Sequence, residues 1–88
     1  MYHIDFTENA LKDIEQLKKS GNKQVLKKLV LFYSELKNHP QTGTGKVEQL
    51  KNYEIKTFSR RINREHRLVY QVYEETITVL VLSAYGHY

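Results

Sequence analysis

Cysteine is absent from the 88 residues, which excludes a disulfide framework and the thiolate zinc sites that often staple chains this short. The lack suits a reducing compartment. No long apolar run is present either. Val79-Leu80-Val81-Leu82 is among the longest, far short of the roughly 20 residues of a membrane span. The first residues, Met1-Tyr2-His3-Ile4-Asp5, have neither the basic nor the apolar region of a targeting signal. The expectation is a cytoplasmic protein with no membrane partner. No repeat, low-complexity tract or linker interrupts the chain, so residues 1–88 read as one domain. A chain of this size buries only about 60–65% of its unfolded surface. A deep small-molecule cleft is therefore not expected, and activity falls to an open surface.

What charge there is lies unevenly. The net charge is +4, with every one of the ten lysines before residue 57 and all four arginines between Arg60 and Arg67. Scattered lysines describe a solvated surface, whereas four arginines in eight residues concentrate the side chain best suited to forked phosphate contacts. Charge alone points to a polyanion and does not choose between DNA, RNA and an acidic protein.

Hydrophobic period divides the chain. Tyr2 to Phe6 alternates and predicts a first strand. Thr7 can cap a helix with Glu8 in its first turn, Ala10, Ile14 and Leu17 recur at helical spacing, and Lys18, Lys19 and Gly21 form a stop. Asn22 can cap a second helix whose apolar stripe reads Val25, Leu26, Leu29, Val30, Tyr33 and Leu36. The single proline, Pro40, and Gly43-Thr44-Gly45 end it in a loop. Beyond them the period becomes two. Val47–Lys51 is a short strand candidate, Ile55–Ile62 and His66–Tyr73 form a hairpin around Asn63-Arg64-Glu65, and the apolar run Thr76–Tyr85 suggests a central strand. The order β-α-α-β-β-β-β predicts an α+β domain, two helices packed on one face of a mainly antiparallel sheet of four to five strands.

If Asn63-Arg64-Glu65 is the hairpin loop, Arg61 faces Arg67 and Phe58 faces Tyr70. Phe58, Ile62, Leu68, Tyr70 and Val72 then share the core side. A slip of one residue exchanges the faces. Like charges directly across a strand pair are destabilising, so Arg61 and Arg67 call for an anion. Glu48 or Glu65 could supply it, and so could a phosphate.

Four histidines occur, His3, His39, His66 and His87, none with a partner at metal-ligand spacing, so no metal site is expected. His87 stands at the chain end before Tyr88, where a histidine is commonly only a surface residue. The apolar strand before it would carry it to a fixed edge, and imidazole exchanges protons near neutral pH. Glu48 lies between Lys46 and Lys51, and spacing alone does not make it a base. RNA brings its own nucleophile, the ribose 2′-hydroxyl. An enzyme using it needs a base for that proton, an acid for the leaving 5′-oxygen and cations on the phosphate. Glu48, His87 and Arg67 could fill those roles without metal or cofactor.

These same residues carry a resemblance. Gly45-Lys46-Val47-Glu48-Gln49-Leu50-Lys51 resembles a Gly-Lys-Pro-Glu-x-Leu-Lys segment. Ser59-Arg60-Arg61-Ile62-Asn63-Arg64-Glu65-His66-Arg67-Leu68-Val69-Tyr70 resembles a Ser-Arg-Arg-Ile-x-x-Glu-His-Arg-Leu-Val-Tyr signature. Gly86-His87-Tyr88 resembles a terminal His-Tyr. All three are similar to the Txe/YoeB family of toxin–antitoxin toxins in the RelE superfamily. The resemblance implies a RelE-like microbial ribonuclease fold and an mRNA interferase that cuts mRNA in the ribosomal A site. It also implies a cognate YefM-like antitoxin, and leaves room for a homodimer. It implies that Glu48 is the general base, His87 the general acid, Arg67 the group stabilising transition-state charge and Tyr88 a residue orienting the scissile phosphate or the substrate. Lys46, Lys51 and Arg61 would contact RNA. Two departures stand out. Val47 replaces proline, which should loosen the loop, and Ile55-Lys56-Thr57-Phe58 replaces a glycine-containing aromatic run at the hairpin entry. A ParE-like gyrase-inhibiting toxin and a simple nucleic-acid or ribosome-binding module are the alternatives. Pure binding needs the arginines but no acid–base pair.

Overall fold

The computed structural model describes residues 1–86, so the expectations for His87 and Tyr88 lie outside the described residues. Helix α1 (Glu8–Lys19) begins where the Thr7 hydroxyl accepts the Ala10 amide at 3.0 Å. Glu8 lies in its first turn and Lys18 and Lys19 in its last, each complementing the helix dipole. Gly21, at φ 71°, turns the chain into α2 (Lys23–Asn38), where the Asn22 side chain accepts the amides of Gln24 and Val25. The buried stripe of α2 is Val25, Leu29, Phe32 and Leu36. The predicted stripe is corrected at one point: Val30 is 68% exposed and Phe32 wholly buried. Steps of four, three and four residues from Val25 stay on one face, whereas Val30, five residues on, lies about 140° round the helix. Leu26 and Tyr33 flank the stripe and are partly buried against the core.

Both helices cover one face of a five-stranded sheet formed by β1 (His3–Phe6), β2 (Glu48–Leu50), β3 (Thr57–Arg61), β4 (Arg67–Tyr73) and β5 (Thr78–Ser83), in the order β1-β5-β4-β3-β2. β1 runs parallel to β5 and the other three pairings are antiparallel. The α+β, mainly antiparallel expectation holds, with one parallel pair added. β5 is internal, as its apolar run suggests, but β4 is the middle strand. β5 also starts later than predicted. Ile77, at φ 49°, donates its amide to the Glu74 carbonyl at 3.2 Å and lies exposed in a turn. Strand alternation sends Phe58, Ile62, Leu68, Tyr70, Val72, Val79 and Val81 inward onto Leu17, Leu29, Phe32 and Leu36.

The core face also takes a charge. Arg60 is wholly buried and its guanidinium is spent internally. It pairs with Glu35 of α2 and donates to the Tyr70 hydroxyl at 3.0 Å. It reaches the Thr42 carbonyl at 2.7 Å, with longer bonds to the carbonyls of His39, Pro40 and Thr44. The Tyr70 hydroxyl in turn donates to the Pro40 carbonyl at 2.6 Å. This corrects the picture of a four-arginine phosphate surface: parity that puts Arg61 outward puts Arg60 inward, where loop carbonyls need a donor. Burial raises the Tyr70 phenol above its ordinary value, which keeps it a neutral donor.

Glu35 is pulled two ways. Burial pushes its carboxyl up, while hydrogen bonds from Thr44 and the charge and hydrogen bond of Arg60 outweigh this and leave it below its ordinary value of 4.5. A carboxylate lowered in the fold contributes stability that is present above that value and is lost as pH falls below it. Urea titrations between pH 6 and pH 3 should show midpoints dropping on the acid side, and a shallower drop for Glu35→Gln.

Gly45 closes the loop against α2. Its φ is 86°, and a Cβ there would lie 2.6 Å from Cζ of Phe32. Gly45→Ala should cost about 2–4 kcal/mol, the left-handed backbone adding to the overlap with the ring. The check is the urea midpoint at unchanged slope.

Candidate active site on the open sheet face

Residues paired directly across strands project to the same side of a sheet. The register therefore builds two rows on the face away from the helices. In one, Glu48 pairs with Ser59, Ser59 with Val69 and Val69 with Ser83. In the next, Arg61 pairs with Arg67, as the hairpin reading predicts. Thr57, Ser59 and Val69 are small and buried and form a floor. The two arginines are half-buried above it and Glu48 is exposed at the β2 edge. Glu48 stands one strand and one row from Arg61. It is two strand spacings, about 10 Å across the sheet, from Arg67.

The backbone of the arginine pair anchors the segments on either side of this face. The Arg61 amide donates to the Gly45 carbonyl at 2.6 Å, fixing the loop that leads into Glu48. The Arg67 amide donates to the Gly86 carbonyl at 3.2 Å, fixing the end of the described chain beside the opposite strand. Lys46, at φ 51°, follows Gly45 and is exposed, and Val47 packs against the core despite replacing the expected proline. Lys51 lies just past β2 and shares a shallow hollow with Glu48, Leu50, Asn52 and Tyr53. Of the predicted site residues, Lys46, Glu48, Lys51, Arg61 and Arg67 thus come to one face and its β2 edge. A larger hollow lies between α1, the start of α2 and the hairpin loop, lined by Leu11, Lys12, Glu15, Leu17, His66 and Tyr85 among others.

His66 takes part although the sequence reading gave it no role. Its Nδ1 accepts the Gly86 amide at 2.8 Å, and its ring packs on that of Tyr85 with centroids 4.3 Å apart. From the other side, Asp13 of α1 accepts the Ala84 amide at 3.0 Å, and the Thr7 hydroxyl donates to the Leu82 carbonyl at 2.9 Å. The segment after β5 is therefore tied to both α1 and the hairpin. The sequence signals for His66 were its position directly before Arg67 and its place in the Glu-His-Arg of the resembling signature.

An exposed carboxylate at one edge, two opposed guanidinium groups and a flanking pair of lysines can seat a phosphodiester. The carboxylate can also accept a proton from a hydroxyl beside it. Among the described residues no three His, Cys, Asp or Glu side chains gather as metal ligands would.

The family model for YoeB-like toxins of bacterial type II toxin–antitoxin systems matches residues 6–88. Toxin YoeB of Synechocystis sp. is 36% identical over 85 residues, covering 97% of this chain and 95% of that one. The mRNA interferase toxin RelE of Escherichia coli K12 is 36% identical over 83 residues, 93% of this chain and 79% of its own. Among solved structures, a YoeB/ParE toxin from Agrobacterium tumefaciens superposes with a TM-score of 0.87 at 30% identity, over the whole of both chains. A YoeB–YefM complex from Staphylococcus aureus gives 0.79 at 32% identity, over 100% of this chain and 99% of that one.

Proposed function

This chain belongs to the YoeB-like toxins of bacterial type II toxin–antitoxin systems, and from that premise we propose that it is an endoribonuclease that cleaves mRNA, in the ribosomal A site, without a metal. The observation that carries the proposal is the shared face of Glu48, Arg61 and Arg67. Glu48 takes the proton from the ribose 2′-hydroxyl, whose oxygen attacks the adjacent phosphorus. Arg67, with Arg61 beside it, neutralises the charge that builds on the phosphate oxygens. The P–O5′ bond then breaks, and His87 gives the leaving oxygen its proton. Tyr88 orients the phosphate. The products are a 2′,3′-cyclic phosphate, or its hydrolytically opened form, and a 5′-hydroxyl. The roles of His87 and Tyr88 rest on the family resemblance, and that of Glu48 on resemblance and placement together. Lys46 and Lys51 extend the positive surface along the β2 edge for the RNA backbone.

The name mRNA interferase, borne by the RelE relative, supports the activity, and the S. aureus YoeB–YefM complex supports a YefM-like antitoxin as partner. A S. aureus YoeB dimer of the same fold supports self-association of the free toxin. The antitoxin covers the basic face with an acidic segment that folds on binding. No helix of the described residues is long and apolar enough to cross a membrane.

Primer-extension mapping of a translated message after induction tests the reading. Cuts at a fixed place within codons, requiring translation and leaving 5′-hydroxyl ends, are the expected result. Intact message together with blocked gyrase would overturn it in favour of a ParE-like toxin, and intact message with neither would leave a binding module.

A further inference from the structure

We propose that His66 is a positioning residue that fixes Gly86, the residue directly before His87; the inference rests on the ribonuclease reading above. The hairpin turn does not depend on the ring. Asn63 closes it by accepting the amides of Glu65 and His66 at 2.9 and 2.8 Å. The pairing of β4 with β5 stops at Ser83, so no ladder bond of β5 reaches Gly86. What remains for His66 is the segment beyond the last strand.

The ring is suited to that task. Its side chain is only 12% exposed, with Nε2 3.9 Å from the Glu65 carboxylate. A backbone amide can only donate, so Nδ1 must carry a lone pair and the ring proton sits on Nε2. Protonation of both nitrogens cancels the contact. Gly86 is gripped at both polar groups by consecutive residues: its amide by the His66 ring and its carbonyl by the Arg67 amide. Its φ of 81° is a left-handed turn that glycine adopts freely. The next peptide bond therefore leaves from a point set beside Arg67, the residue assigned to the phosphate. His66 touches no reacting atom in this scheme. It acts through Gly86 on where the acid begins.

The experiment compares wild type with His66→Ala, His66→Gln and His66→Asn in a ribosome-programmed mRNA cleavage assay. Hydrogen exchange at Gly86 is followed in protein labelled with ¹⁵N-glycine. Only four glycines are present, so the label gives few signals. Asparagine keeps an acceptor at the δ position, whereas glutamine offers one only at the ε position and alanine none. His66→Ala and His66→Gln should cut between about tenfold and a hundredfold more slowly, as expected when a catalytic group is misplaced by an ångström, and their Gly86 amides should exchange faster. His66→Asn should recover both to within a few-fold of wild type. Cleavage by His66→Ala at the wild-type rate, or unchanged Gly86 protection in it, would overturn the proposal. So would a His66→Asn variant that keeps Gly86 protected yet remains as slow as alanine, since the ring would then be doing chemistry. A wild type that cuts no RNA fails the enzyme reading and the catalytic half of this one together. Exchange at Gly86 then still decides whether His66 holds that residue.

Discussion

Arg67→Ala should lower mRNA cleavage by about 10²–10³-fold, the usual loss when a preorganised donor to transition-state charge is removed. Glu48→Gln should cost about 10²–10⁴-fold through loss of the base. The two differ in how they fail. Arg67→Lys keeps the charge but loses the planar fork, so it should recover only part of the activity. Glu48→Asp keeps a carboxylate at a shorter reach and should retain more than Glu48→Gln. Arg61→Ala removes one of two cations from the phosphate seat and should be milder than Arg67→Ala. Measured as initial rates of cleavage on a programmed ribosome, with the elution of the toxin–antitoxin complex as a folding control, these variants separate chemistry from binding. If Arg67→Ala and Glu48→Gln both cleaved within tenfold of wild type while folded, the assignment of base and phosphate ligand would be wrong.

The second large effect is on stability. Glu35→Ala should cost about 3–5 kcal/mol, because it leaves the wholly buried Arg60 guanidinium without a counter-charge. For a chain of this size each kcal/mol moves the melting temperature by about 4–8 °C, so a fall of at least about 12 °C is expected. Pairing it with Arg60→Met should recover a good part of the loss, since the isolated charge disappears with its partner. Recovery will be incomplete, because the carbonyls of His39, Pro40, Thr42 and Thr44 lose the Arg60 bonds, and only part of that loss is covered by the Tyr70 hydroxyl on Pro40 and the Thr42 amide on His39. A cost below 1 kcal/mol for Glu35→Ala would mean that those carbonyls alone satisfy Arg60. The effect should reach the site as well. The 39–45 loop that Arg60 gathers leads directly into Lys46 and Glu48, so the single variant should lose activity at temperatures where it is still folded.

Much of this was legible in the chain because side-chain parity in a hairpin is unforgiving. Once Asn63-Arg64-Glu65 is taken as the turn, Arg61 must oppose Arg67 and Phe58 must oppose Tyr70, as they do. The caps at Thr7 and Asn22 were equally plain, since each is a local bond between a side chain and amides two or three residues on. What could not be read is what depends on distant partners. Arg60 belongs to a run that looks uniformly basic, and only Glu35, 25 residues earlier, and the carbonyls after α2 make it a buried strut. Val30 and Phe32 are both apolar, and the helix alone does not say which one the sheet will meet. His66 was hidden for the same reason: its partner is the amide of a glycine 20 residues on, and an amide leaves no mark on composition. The arginine pair shows the limit from the other direction. Its register follows from the turn, but the demand for a phosphate between the two came from chemistry and from resemblance.

The parallel pairing of β1 with β5 has a consequence for how the molecule is made. Of the five described strands β5 is the last to leave the ribosome, yet it sits between the first strand and the middle one. Until it emerges, β1 has no neighbour in the sheet, and the Arg67 amide waits for a carbonyl that has not yet been synthesised. Long-range pairing of this kind forms late and slowly. A nascent chain can therefore pair its arginines and its glutamate through β2, β3 and β4 while the segment after β5, which the Arg67 amide holds, is still missing. If the finished protein attacks translating ribosomes, that capacity waits for β5 and the segment that follows it.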